Sequence, residues 1–230
     1  MSAAALALLD LTGLDADESE ERVAALCAQA RRGPVAAVCV APRFVGQAAA
    51  ALAGSPVRVG TVANFPAGLD DPRGARAEAE RALADGAQEV DVVFPYLAFA
   101  AGDRKAALAV VAETRAATAG ATLKVTLEAG RLETERLIRA AASAALDAGA
   151  DFLCTATGKL STGATPAAAR VMLEAIRDHG RGGFKAGAVR DAGEAAGYLA
   201  LADEVVGPGW TAPATFRLGA GAEAATEIGA

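Results

Sequence analysis

Helices that end on glycine and hand over to a short apolar run recur through this chain, and that recurrence limits the fold more than any other feature. Asp85-Gly86-Ala87 precedes Val90-Asp91-Val92-Val93-Phe94, and Ala148-Gly149-Ala150 precedes Asp151-Phe152-Leu153-Cys154. A glycine just past the last helical turn stops a helix, and an unbroken apolar run after it reads as a strand covered on both faces. Further strands are read at Leu6–Leu11, Val35–Val40, Val57–Val62, Thr122–Leu127, Gly183–Gly187, Val205-Val206 and Phe216–Gly219. Helix starts are marked between them by Asp15-Ala16-Asp17-Glu18, Asp71-Pro72, Asp103, Thr134, Thr165-Pro166 and Asp191, residue types that cap a first turn.

Alternating strands and helices imply a parallel sheet. The count gives one strand more than the eight a closed barrel needs. The Gly-x-Gly-x-x-Gly turn of a dinucleotide site is missing after the early strands. The 230 residues suit a single α/β domain over 1–230. The expected fold is therefore a (β/α)8 TIM barrel, an eight-stranded closed parallel sheet with a short extra segment at the N-terminus.

A net charge of −6 argues against nucleic acid as a partner. No run of 18 apolar residues without charge points to a membrane span, and Met1-Ser2-Ala3 lacks the basic start of a signal peptide. Cys27, Cys39 and Cys154 are odd in number and widely spaced, the pattern of free thiols in a reducing compartment, here the cytoplasm. His179 is the single histidine and stands at a helix end. Neither a zinc site nor a Ser-His-Asp triad is expected from that set, and no metal or cofactor is anticipated.

Chemistry is legible in charges placed where a barrel core belongs. Asp91 sits among three valines, Lys124 between Leu123 and Val125, Lys185 after Phe184, and Asp10 inside a Leu-rich run. An unpaired buried charge costs several kcal/mol, so these four side chains must converge, and the barrel mouth is the natural meeting place. Mutual repulsion and burial are expected to lower the lysine pKa values there. Cys39, in an apolar strand, reads first as packing and second as a nucleophile, and it counts among the candidate substrate-binding residues. The loop Thr157-Gly158-Lys159 offers a cation and an open backbone N–H to an anionic group.

Taken together, these segments resemble the deoxyribose-phosphate aldolases, lysine-dependent class I aldolases built on a (β/α)8 barrel. The likeness runs nearly end to end. It passes through Leu9-Asp10-Leu11-Thr12, Ala37-Val38-Cys39-Val40-Ala41-Pro42-Arg43-Phe44, Asn64-Phe65-Pro66 and Glu89-Val90-Asp91-Val92-Val93-Phe94-Pro95-Tyr96. It continues through Leu123-Lys124-Val125, Gly149-Ala150-Asp151-Phe152, Thr157-Gly158-Lys159, Gly183-Phe184-Lys185 and Arg217-Leu218-Gly219-Ala220.

The resemblance implies an acid/base role for Asp91, a pKa-perturbing lysine at Lys185, and supporting roles for Lys124 and Asp10. It implies phosphate binding by Thr157, Gly158, Lys159, Gly187, Arg190, Gly219 and Gly221. It also puts Cys154 where the family carries the lysine that forms the imine with the substrate carbonyl. The phosphate end departs too: the family's Pro-Ala-Gly-Gly-Val-Arg is Ala186-Gly187-Ala188-Val189-Arg190 here, and its serine pair is Gly221-Ala222.

The expected function is carbon–carbon bond cleavage or formation on a small carbonyl or sugar-phosphate substrate, diverged because of Cys154. Either Lys185 takes over the imine or no imine forms. The alternatives are acid/base chemistry without a covalent intermediate (isomerase, dehydratase or cyclase) and a silent barrel that binds a metabolite. A homodimer is implied by the resemblance.

Overall fold

The computed structural model describes residues 3–161, 163 and 165–229. Its strands are β1 (Leu9–Gly13), β2 (Ala37–Val40), β3 (Arg58–Ala63), β4 (Glu89–Val93), β5 (Thr122–Thr126), β6 (Phe152–Cys154), β7 (Gly183–Ala186) and β8 (Phe216–Ala220). They follow one another around a closed barrel, each parallel to its neighbours, with β8 pairing back onto β1.

A short α1 (Ala3–Leu6) precedes β1. The helices that follow are α2 (Glu20–Arg31), α3 (Val45–Ala51), α4 (Pro72–Ala84), α5 (Tyr96–Ala100), α6 (Arg104–Ala117), α7 (Ala129–Leu132), α8 (Glu135–Asp147), α9 (Pro166–His179), α10 (Ala192–Val205) and α11 (Ala222–Gly229). Among the described residues no helix is long and apolar enough to cross a membrane.

Three sequence expectations are corrected. Val205-Val206 is no strand: Val205 ends α10, and its buried side chain continues the face of Leu201 and Ala202. Two apolar residues at a helix end carry no period of their own, so they read equally well as strand. The first strand is not Leu6–Leu11 but Leu9–Gly13: Leu6 closes α1, and Thr12 and Gly13 both pair with β2. The next helix starts at Glu20 rather than at Asp15. Ser19 caps it by accepting a hydrogen bond from the Arg22 N–H, while Asp15 and Asp17 stay in the loop and pair with the Arg22 side chain.

The other helix starts form as their caps dictate, with Asp71, Asp103, Thr134, Thr165 and Asp191 each accepting from a first-turn N–H. Between barrel and helices, Leu9, Leu11, Val38, Val40, Val90 and Val92 are fully buried in one apolar layer. Alanines such as Ala75, Ala79 and Ala82 of α4 bring the helices close to it. Because strand side chains alternate, the residues between those aliphatics face the barrel interior.

Candidate active site

The barrel interior holds ions. Asp10 of β1, Glu89 and Asp91 of β4, Lys124 of β5, Lys185 of β7 and Arg217 of β8 are each at most 5% exposed. Lys124 Nζ lies 2.8 Å from Asp10, 2.6 Å from Glu89 and 3.1 Å from Asp91. Lys185 Nζ lies 2.9 Å from Asp10 and 2.6 Å from Asp91. Arg217 spans Asp10 at 2.5 Å and Glu89 at 3.1 Å, with its guanidinium 5.6 Å from the Phe152 ring. Half-exposed Arg58 reaches Glu89 from the other end at 2.9 Å.

Three fully buried cations thus meet three carboxylates. A network balanced in this way is the arrangement in which burial of ions is tolerated.

The balance reverses one expectation. Burial does push the lysines toward the neutral form, and it is the largest single influence on each. The carboxylates of Asp10 and Asp91 together outweigh it, so Lys124 and Lys185 both lie above the ordinary lysine range. Their mutual repulsion is too small to win. The same pairing holds Asp10 well below the usual carboxylate range, against its own burial. At neutral pH Lys185 is an ammonium ion.

Glu89 and Arg217 were not among the residues singled out as chemical. The signal was present: Glu89 stands two positions before Asp91 on one strand, hence on the same face, and Arg217 is flanked by Phe216 and Leu218.

Above the network, a small cavity of about 40 Å³ opens at the carboxyl ends of the strands. Asp91, Lys185, Cys39, Cys154, Gly187 and Gly219 all line it. Cys154 is the strand neighbour of Lys185 in register, and its Sγ lies 3.7 Å from the Ala156 carbonyl. Burial raises both thiols, Cys39 to about 12, so neither is a thiolate near neutral pH. Asp91 Oδ1 has Lys124 nearby but accepts no aligned hydrogen bond among the described residues. The cavity therefore presents an ammonium, a carboxylate with a spare lone pair, and two protonated thiols.

The walls are fixed by the loops above β5, β6 and β7. Thr155 N–H donates to the Lys185 carbonyl and Thr155 Oγ1 accepts from Gly187 N–H, at 3.0 and 2.9 Å. Only glycine fits at 187, since a Cβ there would stand 2.1 Å from the Ala156 oxygen. Buried Glu128 adopts a positive φ of 48° and accepts the Thr157 N–H at 2.6 Å. Its other oxygen has no hydrogen-bond partner among the described residues. Glu128, too, was overlooked in the sequence, where it reads as a plain strand terminus.

The residues implied for phosphate divide between two openings: Thr157, Gly187 and Gly219 line the small cavity, while Arg190 and Gly221 line a groove of about 720 Å³ between α2 and α11. Lys159 reaches across to Asp15, 3.0 Å away on the loop after β1. Arg190 is bound by Glu194, whose Oε2 takes both its backbone N–H and its Nε. Ala188 holds a positive φ of 56°, and its methyl faces Gly158 so closely that a Cβ on Gly158 would lie 2.5 Å from it.

A sequence model of the DeoC/LacD family aldolases matches residues 4–200. A Toxoplasma gondii ME49 protein, provisionally named a deoxyribose-phosphate aldolase and solved without ligand, shares 30% identity with a TM-score of 0.88. That match covers 98% of this chain and 93% of the other. A Coccidioides immitis protein with the same provisional name matches at 27% identity and a TM-score of 0.85, over 99% of this chain and 85% of its own. The deoxyribose phosphate aldolase of Aeropyrum pernix, described as a tetramer, shares the fold at 23% identity and a TM-score of 0.77, over 97% and 88% of the two chains.

Proposed function

This chain belongs to the DeoC/LacD aldolase family and is an aldolase-type lyase or a relative of one; on that premise we propose that it makes or breaks a carbon–carbon bond beside a small carbonyl group without forming an imine. The observation that carries this reading is the grip of Asp10 and Asp91 on Lys185, at 2.9 and 2.6 Å, in the wall of a cavity shared with Cys154.

Imine formation needs an amine lone pair, and the two carboxylates keep Lys185 protonated. A thiol at position 154 adds to a carbonyl only to give a tetrahedral adduct, which offers no sink for the electrons of a breaking bond. What remains is polarisation. The Lys185 ammonium donates a hydrogen bond to the carbonyl oxygen, where negative charge develops, and a buried site makes that interaction strong.

In the cleavage direction Asp91 takes the proton of the β-hydroxyl group. The C–C bond breaks, its electron pair moves into the enolate beside Lys185, and an aldehyde is released. The proton on Asp91 returns to the enolate carbon, restoring both residues. The substrate class supported by the family likeness is a small β-hydroxy carbonyl compound, sugar phosphates included.

The test is borohydride treatment in the presence of candidate aldehydes, followed by peptide mass spectrometry. The expected result is turnover with no adduct at Lys185; a trapped Lys185 adduct would overturn the reading. A second reading, proton exchange or isomerisation by the same pair, is favoured by the Asp91 Oδ1 lone pair that accepts no hydrogen bond among the described residues, since it can take a proton from carbon with no covalent intermediate. Deuterium entering substrate from solvent without fragmentation would distinguish it.

The homodimer suggested by the resemblance belongs to the proposal as well. Its support is exposed Leu69 and Leu97, 61% and 57% accessible, on the segments after β3 and β4. Sedimentation velocity at micromolar concentration tests it, and a monomer would remove it.

A further inference from the structure

The loops after β6 and β7 carry the cations and backbone donors nearest the reaction cavity, and the chain takes up those donors itself. Thr157 N–H is held by buried Glu128 at 2.6 Å, and Lys159 N–H by Thr157 Oγ1 at 3.1 Å. Gly187 N–H goes to Thr155 Oγ1 at 2.9 Å, and Val189 N–H to the Gly219 carbonyl at 2.8 Å. Glu194 Oε2 accepts the Arg190 N–H at 2.9 Å and its Nε at 3.2 Å. Lys159 Nζ lies 3.0 Å from Asp15.

An anion is bound through free N–H donors and cations. A phosphate placed between these loops would have to displace Glu128, Asp15 and Glu194, and it would still face their charges. Three carboxylates of the chain thus already hold the donors that such a group would use.

On the side of β1 and β8, Thr12 lines both the reaction cavity and the groove between α2 and α11, so the two adjoin. The groove's volume is in the range of small-ligand sites. Its lining carries the carboxylates of Asp15, Glu18, Glu223 and Glu227, and its arginines Arg22 and Arg190 are held by neighbouring acids.

Glu18 has a particular place in that wall. Its side chain is 5% exposed, and its Oε2 lies over the end of β1, where a Cβ on Gly13 would be 2.7 Å away. Its Oε1 stands 3.1 Å from Arg22 Nε but accepts no aligned hydrogen bond among the described residues. A buried carboxylate oxygen with a spare lone pair is suited to an O–H donor, and a hydroxyl bound to it makes a strong, charge-assisted hydrogen bond.

We propose that the end of the substrate remote from its carbonyl is uncharged and hydroxyl-bearing, that it lies in this groove with a hydroxyl on Glu18, and that Asp15 and Glu194 set the preference by holding Lys159 and Arg190. The substrate class is an unphosphorylated polyhydroxy aldehyde or ketone. This deepens the reading that Lys185 and Asp91 form the reaction centre, and rests on it.

The experiment is calorimetric titration of the full chain at low ionic strength with 2-deoxyribose and, separately, with 2-deoxyribose 5-phosphate. The arms are the native protein, Glu18→Leu and the double variant Asp15→Asn/Glu194→Gln, each checked for fold by circular dichroism. The native chain is expected to bind the free sugar more tightly than its phosphate. Loss of a charge-assisted hydrogen bond should weaken the free sugar about tenfold in Glu18→Leu, and release of Lys159 and Arg190 should tighten the phosphate about tenfold in the double variant. Tighter binding of the phosphate by the native chain, no binding of the free sugar, unchanged sugar binding in folded Glu18→Leu, or a folded double variant with no gain would each overturn the proposal. Should Glu18→Leu not fold, the native comparison and the double variant still decide. Because binding is read without turnover, the two readings fail separately. The expected preference in a chain with no cleavage or exchange activity sinks the reaction alone. Turnover in a chain that binds the phosphate more tightly sinks this assignment alone.

Discussion

Lys185 Nζ stands 2.6 Å from Asp91 Oδ2, and Lys185 pairs in register with Cys154 on the adjoining strand. The proposed acid/base pair is therefore side by side with the position where an amine nucleophile would be needed. In the proposed reaction Asp91 moves the proton, so Asp91→Asn is expected to lower turnover, or substrate proton exchange, by about 10²- to 10⁴-fold. Lys185 keeps its contact with Asp10, so the far-ultraviolet spectrum should stay native. Exchange followed by proton NMR in D₂O checks this, and an unchanged rate in a folded variant would remove Asp91 from the mechanism.

The ion network also fixes how stability follows pH. Asp10 titrates below its unfolded value, so its contribution is present above about pH 4 and is lost as pH falls through the lower folded value. Lys124 and Lys185 titrate above theirs, so their contribution is complete below about pH 10 and is lost only on further alkalinisation. The expected profile is a urea midpoint that stays flat from about pH 5 to 9 and drops below about pH 4. A midpoint falling already between pH 7 and 9 would mean that the lysines titrate low, contrary to the geometry.

How much of this was legible beforehand depended on which physical signal each residue carries. The barrel was readable because glycine stops and apolar runs are local, repeated and mutually consistent. The convergence of Asp10, Asp91, Lys124 and Lys185 was readable because a charge inside an apolar strand has so few tolerable places. Which way their protons move was not. That sign is set by how closely Asp10 and Asp91 approach the two lysines, and it depends on side chains brought together from distant strands. The ninth strand failed for the opposite reason, since Val205-Val206 carried too little pattern to separate strand from helix.

Thiol chemistry gives an independent check on the closed interior. Cys27, Cys39 and Cys154 are all buried, and burial raises each thiol, Cys39 to about 12. Since the thiolate is the reactive form, native protein at pH 8 is expected to be modified by iodoacetamide about 100-fold more slowly than protein in urea. Peptide mapping reads each cysteine separately. Fast labelling of Cys154 in the folded state would show a thiolate in the cavity and reopen the case for it as a nucleophile.

Packing at the cavity wall is tight enough to test with one methyl group. Gly187→Ala places a Cβ against the Ala156 carbonyl, 2.1 Å away in the present geometry, and near Cys154 Sγ at 3.2 Å. Backbone must shift, so a loss of about 1–3 kcal/mol is expected, as for other overpacked sites. Urea denaturation measures it. A neutral effect would mean that the loops above β6 and β7 yield more freely than their hydrogen bonds to Thr155 imply.

The sharpest outcome concerns Cys154→Lys. The new side chain is three heavy atoms longer and extends into the cavity beside Lys185, so some stability, about 1–3 kcal/mol, is expected to be lost. It also adds a fourth cation to an interior in which Lys124, Lys185 and Arg217 are already balanced by Asp10, Glu89 and Asp91. The carboxylate within its reach, Asp91, is already shared by Lys124 and Lys185. Burial and the neighbouring Lys185 ammonium therefore favour its neutral form, the reverse of what the pairing with Asp10 and Asp91 does to Lys185. A neutral amine beside an ammonium donor and a carboxylate is equipped to form an imine. Borohydride with acetaldehyde is expected to leave a reduced adduct at residue 154. Cleavage of deoxyribose 5-phosphate should rise by about 10²-fold or more over the native chain, a fraction of the roughly 10⁶-fold lost when a covalent nucleophile is removed. A folded variant that forms no adduct would show that the cavity does not admit a carbonyl to this position, and the reaction centre would have to be sought elsewhere on the barrel.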